Sequence, residues 1–174
     1  MRKYLILAGL SLISVNAYAQ LPDGFTKGPV FNDFGPVIEV ALSTPLPENL
    51  TIKHSFDAVK AAEDGKANRS LESAARFINM HARAGVDPKD MQVAVVVHGG
   101  ATGDVMKSED GKETATAKLV AALIAKGQRV IVCGQSAAAN GFDADDMQPG
   151  VEMALSAMTA HVLLQQEGYT TNPF

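Results

Sequence analysis

The stretch QVAVVVHGGA, residues 92–101, decides the fold. Residues 92–97 form an almost wholly apolar run rich in branched side chains, and His98-Gly99-Gly100 follows at once. A strand with one wet face alternates apolar and polar side chains, so an unbroken run predicts a central parallel strand covered on both faces. Upstream, residues 68–84 place Leu71, Ala74, Ala75, Ile78 and Ala82 on one helical face, with Asn68 as N-cap and Gly85 as stop, and residues 50–56 read as a strand before it. Downstream, residues 114–126 predict a helix with Leu119, Val120, Leu123 and Ile124 inward, closed by Gly127. Residues 128–132 are a second buried strand, and residues 136–140 start a short helix ended by Gly141. Residues 151–155 read as a last strand before a helix over 158–167 that stops at Gly168. The order β-α-β-α-β-α-β-α specifies an α/β fold, with a mainly parallel sheet of four or five strands and helices on both sides.

The ends carry different information. Residues 1–19, MRKYLILAGLSLISVNAYA, set Arg2 and Lys3 before an apolar run from Tyr4 to Val15 and finish on Ala17-Tyr18-Ala19, the pattern of a cleavable secretory signal peptide. The run is short for a membrane span, which needs about 20 apolar residues. The expected mature chain begins at Gln20 and is periplasmic or secreted, with no membrane attachment after cleavage; an uncleaved anchor is the alternative. Residues 20–49 contain Pro22, Pro29, Pro36, Pro45 and Pro47 without a sustained period, which predicts an extended arm wrapping the domain or a partner. Val37-Ile38-Glu39-Val40 is a weak candidate for an edge strand within the arm, given the flanking prolines. Residues 50–174 make the single α/β domain. The net charge is −4, and removal of Arg2 and Lys3 makes it more negative. With no run of lysines or arginines, nucleic acid and anionic membranes are poor partners.

In open parallel sheets ligands bind beyond the carboxyl ends of the strands. There the first strand runs into Asp57, the second into His98-Gly99-Gly100-Ala101, and the third into Cys133-Gly134-Gln135-Ser136. If the second and third strands are neighbours, His98 and Cys133 share one crevice. Cys133 is the sole cysteine, so it forms no intramolecular disulfide. Just before a short helix, a thiol meets free N–H groups and a positive dipole end, which favour thiolate, and a protonated His98 would act in the same sense. Together they make a nucleophile that accepts a sulfane sulfur or attacks a disulfide. The plain alternative is a small apolar residue packed under a helix, since free cysteines are among the most buried residue types.

Gly134-Gln135-Ser136-Ala137-Ala138 also resembles the strand-turn-helix elbow of α/β-hydrolases, and His98-Gly99-Gly100 imitates their oxyanion loop. Ser136, then Asp143 or Asp145, then His161 would complete a triad in the hydrolase order. Against this, the domain is short, the acid and the histidine follow the serine closely, and His161 falls inside an apolar helix. Asp143-Ala144-Asp145-Asp146 lacks the glycine and terminal glutamate of a calcium loop, and His54, His81, His98 and His161 show no ligand pairing, so no metal and no cofactor are expected. No P-loop follows the second strand. Asn49-Leu50-Thr51 and Asn68-Arg69-Ser70 are glycosylation sequons only in a eukaryotic secretory setting.

Taken in order, Phe56-Asp57, AVVVHGGA (94–101), VIVCGQSAAANGF (130–142), PGVEMALSAM (149–158) and LLQQEGY (163–169) resemble the DsrE/DsrF-like family of sulfur-relay proteins. The resemblance implies a three-layer α/β/α sandwich that assembles into homo-trimers or hexamers, with the crevice near subunit contacts. It also implies a cysteine, here Cys133, that carries sulfur as a persulfide between a donor and an acceptor protein. On that reading Cys133 and His98 do the chemistry, while Gly99, Gly100, Gly134, Gln135, Ser136 and Asp57 bind the substrate. The expected export and the proline-rich arm set this chain apart from cytoplasmic relay members. A non-catalytic oligomeric scaffold with an inert cysteine is the alternative, and a small serine hydrolase using Ser136 the third.

Overall fold

The computed structural model describes residues 23–108, 111 and 113–171; the expected signal peptide and the start at Gln20 lie outside them. The elements run β1 (Ile52–Ala58), α1 (Arg69–Arg83), β2 (Met91–Val97), α2 (Ala115–Ala125), β3 (Arg129–Cys133), α3 (Gly134–Ala139), β4 (Glu152–Ala154), α4 (Ala157–Gln166) and β5 (Thr170–Thr171). The five strands are all parallel, in the order β4-β3-β2-β1-β5. β1 starts two residues later than expected, in register from Ile52 opposite Met91, and so holds Asp57 inside the strand rather than after it. α3 likewise begins directly after Cys133. No helix among the described residues is long and apolar enough to cross a membrane.

The two faces of β2 explain its unbroken apolar run. Val93, Val95 and Val97 point into a cluster with Leu71, Ala74, Ala75 and Ile78 of α1 and Leu119, Val120 and Leu123 of α2. Ala94 and Val96 point the other way, packing with Ile131, Cys133 and the α4 residues Ala157, Ala160 and Leu164. Helices therefore cover both sides, giving the three-layer α/β/α sandwich. Each fully buried Val or Leu is worth about 1.5–3 kcal/mol.

Local signals fix the helix starts. The Asn68 side chain accepts from the N–H groups of Ser70 and Leu71, and its amide donates to the Lys60 carbonyl and to Asp104. Thr114 accepts from Ala117 and Ser156 from Thr159 in the same manner. Residues 23–49 lie against α1. There the buried Asn79 accepts from the N–H groups of Val30 and Phe31 and donates to the carbonyls of Phe31, Phe34 and Gly35. Val37–Val40 is not the edge strand suggested above. Val37 makes a single antiparallel bridge to Thr26 inside the arm, and β5 takes the sheet edge beside β1.

Candidate functional site

Parallel pairing brings the carboxyl ends of β1, β2 and β3 to one rim. Val97 pairs with Val132, and one residue further along each strand stand His98 and Cys133. The register thus sets these two residues side by side, but the His98 ring hydrogen-bonds elsewhere: its Nε2 donates to Asp57 Oδ2 at 3.0 Å. The other carboxylate oxygen, Oδ1, accepts from Nε2 of His161 on α4 at 2.9 Å. Burial pushes the Asp57 carboxyl up, but the hydrogen bonds from His161 and His98, with their charge, more than reverse this and hold it below the ordinary range.

Cys133 is 5% exposed and caps the N-terminus of α3, its Sγ accepting from the Ser136 N–H at 3.4 Å. Burial raises the thiol pKa. Interactions with the Ser136 side chain and with the backbone N–H groups of Ser136, Ala157 and Gln135 outweigh that and lower it overall. The Ser136 hydroxyl also accepts from the Gly99 N–H at 3.3 Å, so it links the loop after β2 to the turn that carries the thiol.

The glycines of the rim have structural reasons of their own. Gly99 takes φ +57°, a left-handed conformation, as the chain leaves β2 for a 3-10 turn over Gly99–Val105. Gly100 lies against the Val59 carbonyl, 3.3 Å from where a Cβ would stand. At Gly134 an added Cβ would sit 2.7 Å from the Ala154 carbonyl, so β4 packs here only against a glycine. Gln135 is exposed.

Asp57, His98, Cys133, Ser136, Gly99, Gly100, Gly134 and Gln135 accordingly meet at one rim, while the serine triad does not assemble. His161 pairs with Asp57 instead of Asp143 or Asp145, and Asp143 is spent capping a 3-10 turn, accepting from the Asp145 N–H at 2.8 Å. Two neighbours escaped the sequence reading: His161 as the second partner of Asp57, and the first turn of α4, where Ala157 shares a buried cluster with Cys133. A signal for the first was present. Ala157, Ala160, His161 and Leu164 fall at helical spacing, so His161 shares the face that packs on the sheet, where a polar ring needs a partner. Among the described residues, no group of three or more His, Cys, Asp or Glu is arranged to hold a metal ion.

Comparison with known proteins places this geometry. A solved structure of a protein of unknown function, MTH1491 from Methanobacterium thermoautotrophicum, superposes with a TM-score of 0.53 at 20% identity, covering 70% of this chain and 97% of that one; this likeness is one of fold. The structure of the ychN protein from E. coli gives 0.48 at 13% identity, over 70% of this chain and 100% of that one. No curated protein matches the chain. The family model of the DsrE/DsrF-like family matches residues 53–172. That span contains Asp57, His98, Cys133 and His161 together with the sheet that aligns them, and the chain belongs to the DsrE/DsrF-like family, a family associated with sulfur relay.

Proposed function

We propose that the protein accepts and transfers sulfane sulfur as a persulfide on Cys133. The observation that carries this reading is the place of Cys133 as the N-cap of α3, its Sγ accepting from the Ser136 N–H at 3.4 Å, where Ser136 and neighbouring backbone N–H groups hold the thiol pKa below its ordinary value despite burial. A thiolate so held attacks the outer sulfur of a donor persulfide, R–S–SH. The new S–S bond forms on Cys133, the donor S–S bond breaks, and R–S⁻ leaves with the electron pair. With thiosulfate the leaving group is sulfite. An acceptor thiolate then attacks the outer sulfur on Cys133, takes it as its own persulfide, and returns Cys133 to thiolate. No net oxidation or reduction occurs in the relay. The Ser136 N–H that meets the sulfur also stabilises the anionic persulfide, and His98, next to Cys133 along the strand ends, orients the thiolate. The proposal extends to a periplasmic or secreted homo-oligomer, trimer or hexamer, that meets its sulfur donor and acceptor through the β3–β4 rim.

A non-catalytic scaffold is the second reading, favoured by the 5% exposure of Cys133. Intact-mass measurement after incubation with polysulfide or thiosulfate separates the two. Native protein is expected to gain a single sulfur that Cys133→Ser does not, and prior alkylation is expected to block the gain. If native Cys133 neither takes up sulfur nor alkylates, the scaffold reading stands and the relay is wrong.

A further inference from the structure

The Asp57 carboxylate grips two imidazoles that come from different parts of the fold. His98 follows β2, while His161 lies on α4, and each holds a different carboxylate oxygen. His161 has no other anchor, because its Nδ1 is buried with no hydrogen-bond partner among the described residues. The rest of the α4 contact with the sheet is made by the small side chains of Ala157 and Ala160, with Leu164 a turn beyond. Small side chains permit close approach but set little register along the helix axis. A hydrogen bond to an ionised carboxylate is short, directional and about twice as strong as a neutral one, so it does set register. His161 and Ala157 are four residues apart and share one face of α4. Ala157, in the first turn behind the Ser156 cap, packs with Cys133 in one buried cluster.

We infer that Asp57 is a positioning residue for the Cys133 thiol: through His161 it fixes where the first turn of α4 packs in the cluster that holds Cys133, and through His98 it fixes the neighbouring imidazole. Two neighbours of Cys133, one from the end of β2 and one from α4, are thereby held by one side chain from β1. The titratable groups facing Asp57 are His98 from the end of β2 and His161 from α4, while Arg76 of α1 lines a shallow cleft with it. This deepens the sulfur-transfer reading, since it names what keeps the thiol activated, but its geometry does not depend on any sulfur donor.

The test follows the rate of Cys133 alkylation by iodoacetamide against pH, on the full chain, for native protein, Asp57→Asn and His161→Gln. Asn at position 57 keeps one carbonyl oxygen and cannot hold both rings as acceptor. The alkylation midpoint is expected to rise by roughly half a unit to one unit in both variants, slowing alkylation near neutral pH by about three- to tenfold. A residue that only stabilises the fold would lower the melting temperature and leave the midpoint in place. Midpoints unchanged in variants that retain native circular dichroism overturn the inference; should Asp57→Asn fail to fold, the His161→Gln midpoint decides. The two proposals fail separately. Shifted midpoints in a protein that never forms a one-sulfur adduct sink the relay and keep the positioning role, and a normal adduct with unmoved midpoints does the reverse.

Discussion

Asp57 carries two imidazoles on one carboxylate, and that arrangement sets the pH at which it gives up its charge. Its folded pKa is depressed below the usual 3.8, because the hydrogen bonds from His161 and His98 outweigh its burial. A depressed folded value means that the unfolded chain binds the proton first. The stability Asp57 contributes is therefore complete above the unfolded value and is lost as pH falls through the folded one. Thermal melts from about pH 5 down to about pH 3 are expected to show native protein losing melting temperature more steeply than Asp57→Asn, and parallel slopes would contradict this. The side chain is 36% exposed, so solvent screening keeps the difference modest. That Asp57, His98 and Cys133 gather at one rim was legible because parallel strands deliver their ends to a common side of the sheet. The His161–Asp57 bond was legible only in part: helical spacing sets His161 on the sheet-facing side of α4, but its partner stands 104 residues away and nothing local names it.

Among the elements, the arm and α1 depend on each other through Asn79. Its amide answers both N–H and carbonyl groups of residues 30–35, where an extended chain without strand partners would otherwise leave them unpaired. Asn79→Ala is expected to cost about 3 kcal/mol in urea unfolding, because several buried groups lose their partner at once. It should also open residues 23–49 to limited proteolysis, and an arm as resistant as the native one would contradict the assignment. The helices were readable within a residue or two because face, cap and stop agree in each: Asn68 before α1, Thr114 before α2, a glycine after each of them. Asn79 was not, because a polar residue beside Ile78 reads as the edge of the wet face until its partner is known. β4 and β5 span three and two residues, too short for an alternation to declare itself, and their placement comes from pairing with β3 and β1.

For the molecule as a whole, β4 is an edge strand among the described residues, and the surface around it is apolar. Leu155 and Met158 are 72% and 77% exposed, with Met153, Val162 and Leu163 near them in sequence along β4 and α4. Such a surface on an edge strand invites a second copy. If the proposed homo-oligomer uses it, light scattering on the native chain gives a multiple of the monomer mass, and Leu155→Glu combined with Met158→Glu lowers it; a monomeric native chain would refute this. The layer order was readable from the alternation of runs, whereas this surface was not, because its members come from a strand and a helix whose exposed sides only the folded sheet defines. The same topology bears on how the protein matures. Positions 57, 98, 133 and 161 reach the rim from β1, the end of β2, the end of β3 and α4, so no fragment of the chain holds the complete site. Such distant contacts form late, after the loops between them have closed. A chain still emerging or still searching for its native state therefore holds Cys133 without its neighbours, and the cysteine enters its buried surroundings only when the last helix docks.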